Sequence, residues 1–302
     1  LKAILITGAN GFIGKNLIEH LNLTNPDYKI KAISRFGNKS NILSYNDFIN
    51  DKYSSEFFED ITDVVHLAAV AHKFENLNFE EINKLNIEYP IKLINILKNK
   101  SLEKFIFMSS IGVTLIDQGI FLDTKAYAES KKKAEEKLIE AVVKTKAKVI
   151  SLRAPMVYGK NAPGNFKKLL KLLSFPILIP FGSMDFEKPV IHVTNLVSAI
   201  SSVIKADKNN CKSGVYEISD PFALKFNNFL INLNSSISGN AIIIPFPLKI
   251  LQVLFLIIGK NNLYRKLILS FKISNNKFDN DFNWPKLVDR DNMFDDIKNR
   301  NE

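Results

Sequence analysis

Tyr127 and Lys131, in the stretch Tyr-Ala-Glu-Ser-Lys, stand four residues apart. On a helix that spacing puts a phenol and an ammonium on one face. A free tyrosine titrates at about 10 and is a poor base at neutral pH. A neighbouring lysine charge favours the phenolate and brings the group toward the range for proton transfer at a substrate hydroxyl or carbonyl. Ser110, just past an apolar stretch, is placed to hydrogen-bond the oxygen that Tyr127 protonates or deprotonates, with Ser109 as the neighbouring alternative. Tyr-x-x-x-Lys pairs are common on helix surfaces, so this one gains its meaning from what precedes it.

What precedes it is a glycine turn, Thr7-Gly8-Ala9-Asn10-Gly11-Phe12-Ile13-Gly14. It lies between an apolar strand pattern (Lys2 to Thr7) and an amphipathic helix pattern (Phe12 to Leu21). The spacing Gly-x-x-Gly-x-x-Gly differs slightly from the dinucleotide fingerprint Gly-x-Gly-x-x-Gly, and the physical roles carry over. Gly8 permits the tight turn, Gly11 lets the backbone approach a pyrophosphate, and Gly14 lets the helix pack closely on the sheet. The helix N-terminus offers N–H groups and a positive dipole end to the phosphates. Gly8, Asn10, Gly11, Phe12, Ile13 and Gly14 are therefore candidate cofactor residues.

An acidic residue at the end of the second strand would bind the adenine ribose and mark NAD. Ser34-Arg35 stands there instead, and the next basic residue is Lys39. Arg35 can stack on adenine and pair with a 2′-phosphate, which favours NADP(H) over NAD; an exposed arginine without a role fits the residues equally well. Asp47 is a candidate contact for the adenine amino group.

The elements that must position these groups alternate through the first half of the chain. Strands are expected at Lys2–Thr7, Tyr28–Ser34, Asp63–Ala68, Lys104–Ser109, Lys148–Leu152 and Val215–Ser219. Helices are expected at Phe12–Leu21, at Phe79–Lys100 with a kink at Pro90, at Lys125–Lys144, and from a Thr194 or Asn195 cap to Lys205. Continuously apolar strands alternating with helices imply an α/β, doubly wound parallel sheet. After Gly159 the pattern loosens, with Pro163, Pro176, Pro180 and Pro189 as punctuation. A dinucleotide-binding Rossmann-type domain is expected over residues 1–160, with about 190–220 returning to it. Residues 161–189 and 221–302 are expected to form a smaller mixed substrate-binding subdomain.

The 302 residues are 46% hydrophobic, enough for a large core. The net charge of +10 forms no stripe with interleaved aromatics, so it reads as a lysine-rich solvated surface and not as a nucleic-acid site. Cys211 is the sole cysteine, and His20, His66, His72 and His192 have no metal-ligand spacing. No disulfide and no metal are expected. The longest apolar run, Ile250 to Ile258, contains Gln252 and is too short to span a bilayer. With no secretory signal at the start, a soluble cytoplasmic protein is the expectation. Phe246 to Ile258 with the positive charge leaves weak peripheral membrane association as a minor possibility.

The motifs TGANGFIG (Thr7 to Gly14), HLAA (His66 to Ala69), SS (Ser109-Ser110), YAESK (Tyr127 to Lys131) and RAPMVYG (Arg153 to Gly159) occur in an order that resembles an extended short-chain dehydrogenase/reductase of the NAD-dependent epimerase/dehydratase type. The resemblance covers most of the chain. It implies that Leu67, Ala68 and Ala69 line the cofactor groove, that Asn86 supports Lys131 through a hydrogen-bond relay, and that Pro155 lies beside the nicotinamide. It also implies a nucleotide-sugar substrate, commonly a UDP-hexose, with Asn165 at the nucleotide, Lys188 at the diphosphate, and a homodimer as the usual assembly. His66 reads as a packed strand histidine.

Three chemistries then compete. A 4,6-dehydratase of this type carries an Asp-Glu pair beside the catalytic hydroxyl, where this chain has Ser110-Ile111-Gly112. A 4-epimerase holds NAD and returns hydride to the other face of C4. A 4-ketoreductase takes hydride from exchangeable NAD(P)H, and Arg35 tips the sequence toward it. A non-catalytic dinucleotide-binding sensor is the remaining reading; such relatives lack the Tyr or the Lys, and both are present here.

Overall fold

The computed structural model describes residues 2–35, 41–69, 79–120, 125–222 and 224–298; Lys39 and His72 lie outside the described residues. The chain runs β1 (Ala3–Thr7), α1 (Phe12–Thr24), β2 (Lys29–Ser34), β3 (Ile42–Ser44), α2 (Tyr45–Ile49), β4 (Asp63–His66) and α3 (Phe79–Asn83). A π-helical segment (Lys84–Glu88) follows, then α4 (Tyr89–Leu97), β5 (Lys104–Ser110), α5 (Ile111–Asp117), α6 (Lys125–Val142), β6 (Lys148–Ala154) and β7 (Met156–Tyr158). Next come α7 (Gly164–Ser174), β8 (Leu178–Ile179), β9 (Val190–His192), α8 (Val193–Lys205), β10 (Gly214–Glu217), α9 (Phe226–Ser236) and β11 (Ile242–Ile243). The C-terminal third adds α10 (Leu248–Ile257), α11 (Asn261–Ile268), α12 (Asn276–Phe282) and α13 (Asp295–Lys298).

Two compact units result: residues 1–154, 196–218 and 275–285 in the first, and residues 155–195, 219–274 and 286–302 in the second. The first is built on a seven-stranded sheet in the order β10-β6-β5-β4-β1-β2-β3, parallel at every pairing. All five β1 residues are buried, as an apolar strand must be when helices cover the sheet. Leu5, Val64, Phe105, Phe107 and Val149 pack with Leu93, Ile94 and Leu97 of α4 and with Ala134 and Leu138 of α6. The strand order reverses between β1 and β4, so the crevice beyond their carboxyl ends is the switch point where ligands of such sheets bind.

At the opposite end of the sheet Lys104 is fully buried, yet not unsatisfied. Its ammonium donates to the carbonyls of Val203, Ile204 and Ala206 and lies 3.6 Å from Asp63. The carbonyls at the C-terminal end of α8 gain a cation, where the helix dipole favours one.

The second unit pairs β7 with β9 and β8 with β11, again in parallel. Asp220 is its polar hub, accepting from the Tyr158 hydroxyl (2.8 Å), the His192 N–H (3.0 Å) and Asn195 Nδ2 (2.8 Å). Asn195 does not cap α8, which begins at Val193. Its amide instead receives the N–H groups of Leu287 and Val288 and donates to Asp220 and the Val288 carbonyl.

Candidate active site

The switch point is shaped by the approach of two backbone segments. Gly8 has φ +69, a left-handed value that favours glycine, and a Cβ there would lie 2.9 Å from the Ala68 nitrogen and 3.0 Å from the Leu67 carbonyl carbon. Thr7 ties the same loops: its Oγ1 meets His66 Nδ1 at 3.0 Å and accepts from the Ala68 N–H at 3.2 Å, while its carbonyl accepts from the Leu67 N–H. Gly14 is closed by backbone, since a Cβ would collide with the Gly8 carbonyl oxygen and lie 2.8 Å from Ala9 Cα. Gly11 is the N-cap of α1; it offers no side chain to the helix N-terminus, and no acidic residue occupies the first turn. Asn10 and Gly11 are exposed, Phe12 and Ile13 half-buried. A tight left-handed turn, a glycine-closed helix start and unclaimed positive dipole together fit a pyrophosphate.

His66 is fully buried between Tyr89, Phe105 and Phe107, and burial holds its imidazole well below the usual range, with the Lys131 charge adding to the effect. A neutral ring bonded to Thr7 is a packing element of this strand.

Tyr127 and Lys131 occupy successive turns of α6 as the spacing requires. The Lys131 ammonium, 1% exposed, donates to the Met108 carbonyl at 2.8 Å and lies 4.4 Å from the Phe107 ring centroid and 5.9 Å from that of Tyr127. Burial pushes Lys131 down to about 7, against the pull of Glu135, and raises the half-buried Tyr127 phenol above its ordinary value. Glu135 is itself clamped by the Nε–Nη2 edge of the Arg153 guanidinium, which donates to its two carboxylate oxygens at 3.1 and 2.7 Å.

Asn86 sits in the π segment, and Pro90 explains the segment. Pro90 has no N–H to give the Asn86 carbonyl four residues back, and the turn widens so that the Tyr89 N–H bonds the Lys84 carbonyl. Fully buried Asn86 donates to Ser130 Oγ at 3.1 Å, and Ser130 donates to the Tyr127 carbonyl at 2.8 Å. The relay thus grips the turn of α6 that carries both Tyr127 and Lys131. Ser130 and the Met108 carbonyl were not singled out in the sequence; Ser130 lies three residues from Tyr127, but a backbone acceptor leaves no sequence signal.

Ser110 ends β5 and caps α5, its Oγ accepting from the Gly112 N–H at 3.1 Å. One lone pair is used, and the hydroxyl proton remains for a substrate oxygen. The buried Ser109 Oγ has no hydrogen-bond partner among the described residues. Arg35 is exposed just past β2, and Asp47 is half-buried in the first turn of α2, its N–H bonded to the Ser44 cap at 3.2 Å. Ala68 is half-buried and Ala69 exposed.

Three sequence-selected residues fall in the second unit. Pro155 immediately precedes β7, and Asn165 is exposed at the start of α7. Lys188 donates to the carbonyls of Lys266 and Leu269, both at 2.6 Å, and burial pushes it down to about 8. In this arrangement Lys188 secures the C-terminal end of α11 with two of its three N–H donors. Among the described residues, no group of three or more His, Cys, Asp or Glu side chains gathers as a metal site.

The Lys131 burial has a measurable consequence for stability. Its pKa falls from 10.5 in the ordinary state to about 7 in the fold. Below that value the folded protein carries the full cost of a buried charge. Between about pH 7 and pH 10.5 the unfolded chain binds a proton that the folded chain has released, so this group's contribution to stability rises with pH across the window. Lys131→Met removes that slope. Urea titrations on both sides of pH 7 should show wild type gaining on the variant as pH rises; a pH-independent difference would contradict the buried titration.

A parallel sheet with a glycine turn at its switch point and a Tyr–Lys pair on the helix entering β6 defines a Rossmann-type enzyme of the extended short-chain dehydrogenase/reductase class. Residues 4–219 match the NAD dependent epimerase/dehydratase family, and the chain belongs to it. Its cofactor is accordingly a nicotinamide dinucleotide. The UDP-glucose 4-epimerase of Vibrio cholerae is 28% identical over 284 residues, covering 88% of this chain and 85% of that protein. A UDP-glucuronic acid 4-epimerase from Bacillus cereus, solved in complex with NAD, superposes with a TM-score of 0.72 at 20% identity, covering 98% of this chain and 96% of that one. The human epimerase family protein SDR39U1 with NADPH gives a TM-score of 0.72 at 14% identity over 99% and 100% of the two chains. No helix among the described residues is long and apolar enough to cross a membrane.

Proposed function

We propose that this chain is a UDP-sugar 4-epimerase, inverting C4 of a UDP-hexose with a retained NAD. The observation that carries the reading is the likeness to the Vibrio cholerae UDP-glucose 4-epimerase over 88% of the chain, joined to the intact Tyr127–Lys131–Ser110 set. When bound, the nicotinamide supplies the exchange of a hydride with the sugar carbon. The chain's own residues do the rest. Gly8, Asn10, Gly11, Phe12, Ile13 and Gly14 hold the pyrophosphate, Leu67, Ala68, Ala69 and Ser109 border the groove, and Arg35 and Asp47 serve the adenosine end. Pro155 is assigned to the nicotinamide. Tyr127 removes the proton from the C4 hydroxyl and later returns it, with the Lys131 ammonium countering phenolate charge. Ser110 donates its hydroxyl proton to the C4 oxygen, and Asn86 holds the turn of α6. Asn165 is assigned to the substrate nucleotide, and Lys188, through its third N–H donor, to the diphosphate. A homodimer is the assembly we infer.

Arg35 favours a second reading, a 4-ketoreductase that exchanges NADPH at each turnover, and the comparisons lend it no specific weight. The purified protein distinguishes the two. The epimerase should retain NAD through gel filtration and interconvert UDP-glucose and UDP-galactose, or their N-acetyl forms, with no cofactor added. Oxidation of NADPH dependent on a 4-keto nucleotide sugar, without epimerisation, would overturn it in favour of the reductase.

A further inference from the structure

The second unit carries a helix whose surface does not suit water. Of the ten residues of α10, only Lys249 and Gln252 are polar. Leu248, Leu251 and Phe255 pack inward with Met184 and Tyr264, and the Tyr264 hydroxyl donates to the Leu248 carbonyl at 3.0 Å. The other faces stay open: Ile250, Val253, Leu254, Leu256 and Ile257 are 46–74% exposed, and Ile258 continues them at 62%. Isolated exposed apolar side chains are ordinary, but six within nine residues make a patch that marks an interaction surface.

The charge around the patch has one sign. From Pro221 to Phe278 there is no Asp or Glu, while Lys225, Lys249, Lys260, Arg265, Lys266, Lys272 and Lys277 lie in that span. Lys225 and Lys272 pair with Asp185 and Glu187. Lys249, Lys260 and Arg265, next to the patch in the chain, are exposed and meet no carboxylate among the described residues. An apolar helix face with such cations beside it in the chain matches a bilayer surface with anionic headgroups, where the side chains enter the acyl boundary and the lysines meet phosphate. A second copy seated on the same face would bring those cations no carboxylate from 221–278, since a two-fold contact repeats the same patch and that span holds no Asp or Glu. At ten residues α10 is about 15 Å long, so it lies in the interface rather than spanning it.

We propose that the α10 face, with Lys249, Lys260 and Arg265 beside it in the chain, docks this protein on an anionic phospholipid surface. The test is cosedimentation of the full chain with vesicles of phosphatidylcholine containing phosphatidylglycerol, at physiological salt, against phosphatidylcholine alone. Wild type should pellet only with the anionic vesicles. Lys249→Glu/Lys260→Glu should weaken that binding by about tenfold or more, and Val253→Ser/Ile257→Ser should weaken it comparably. All four positions are exposed and outside the site, so thermal unfolding should match wild type, which separates lost docking from lost fold. No pelleting of wild type, or undiminished pelleting of the serine variant, overturns the proposal. A wild-type dimer in vesicle-free buffer that the serine variant dissociates also overturns it and assigns the face to a second copy.

Discussion

Tyr127→Phe should lower turnover by about 10²- to 10⁴-fold, the range for loss of a positioned proton-transfer group, while leaving dinucleotide binding nearly intact. The substitution removes one oxygen and keeps the ring that lies 5.9 Å from the Lys131 ammonium. Burial raises this phenol above its ordinary value, so the hydroxyl holds its proton until a positive environment stabilises the phenolate. Lys131 supplies part of that environment, and its ammonium is held by the Met108 carbonyl, a bond the substitution does not touch. The variant should therefore keep Lys131 in place, and the loss should appear in the rate of the chemical step. Single-turnover kinetics with bound substrate, alongside a titration of dinucleotide fluorescence, separates the two quantities. Turnover within a few fold of wild type would remove Tyr127 from the proposed mechanism.

Gly14→Ala should cost stability and activity together, through one added methyl group. Its Cβ meets the Gly8 carbonyl oxygen and the backbone of Ala9, none of which can rotate away. The start of α1 must withdraw from the turn, and overpacking of this kind costs about 1–3 kcal/mol. The same withdrawal moves the helix N-terminus from the phosphates it is shaped to receive. A displacement on the order of 1 Å can lower turnover by about 10²-fold. Gly214→Ala is the matched control, because a Cβ there meets nothing closer than 3.5 Å. Denaturant titration and dinucleotide affinity should change in the first variant and hold in the second. An unaltered Gly14→Ala protein would show that the turn does not need glycine at its helix entry.

Much of the first unit is legible in the sequence. Six strand expectations meet β1, β2, β4, β5, β6 and β10 within a few residues, because continuous apolar runs between helical periods have few other uses. β3 gave no such signal, as three residues between polar Asn41 and Tyr45 carry no period. The single expected helix from Phe79 to Lys100 is instead α3, a π segment and α4. Pro90 foretold a disturbance there, and the three-dimensional structure turned it into the widened turn that presents Asn86.

The second unit was far less legible, since its pieces are short and its bonds join distant residues. Lys188 shows the limit: the sequence presents a lysine suited to an anion, but the fold hands it two carbonyls at the end of α11. Asn195 likewise reads as a helix cap and becomes a bridge to Val288.

By itself, then, the sequence determined the glycine turn, the Tyr127–Lys131 spacing and the alternation that demands a parallel sheet. Each of these is a local pattern, written in neighbouring residues and the period of one element. Only the tertiary structure decided that Gly8 presses on Ala68, that Lys131 answers to the Met108 carbonyl, that Asn86 reaches Ser130, and that α10 keeps its apolar face uncovered. Those outcomes depend on backbone acceptors and on partners dozens of residues away, whose positions no local spacing encodes.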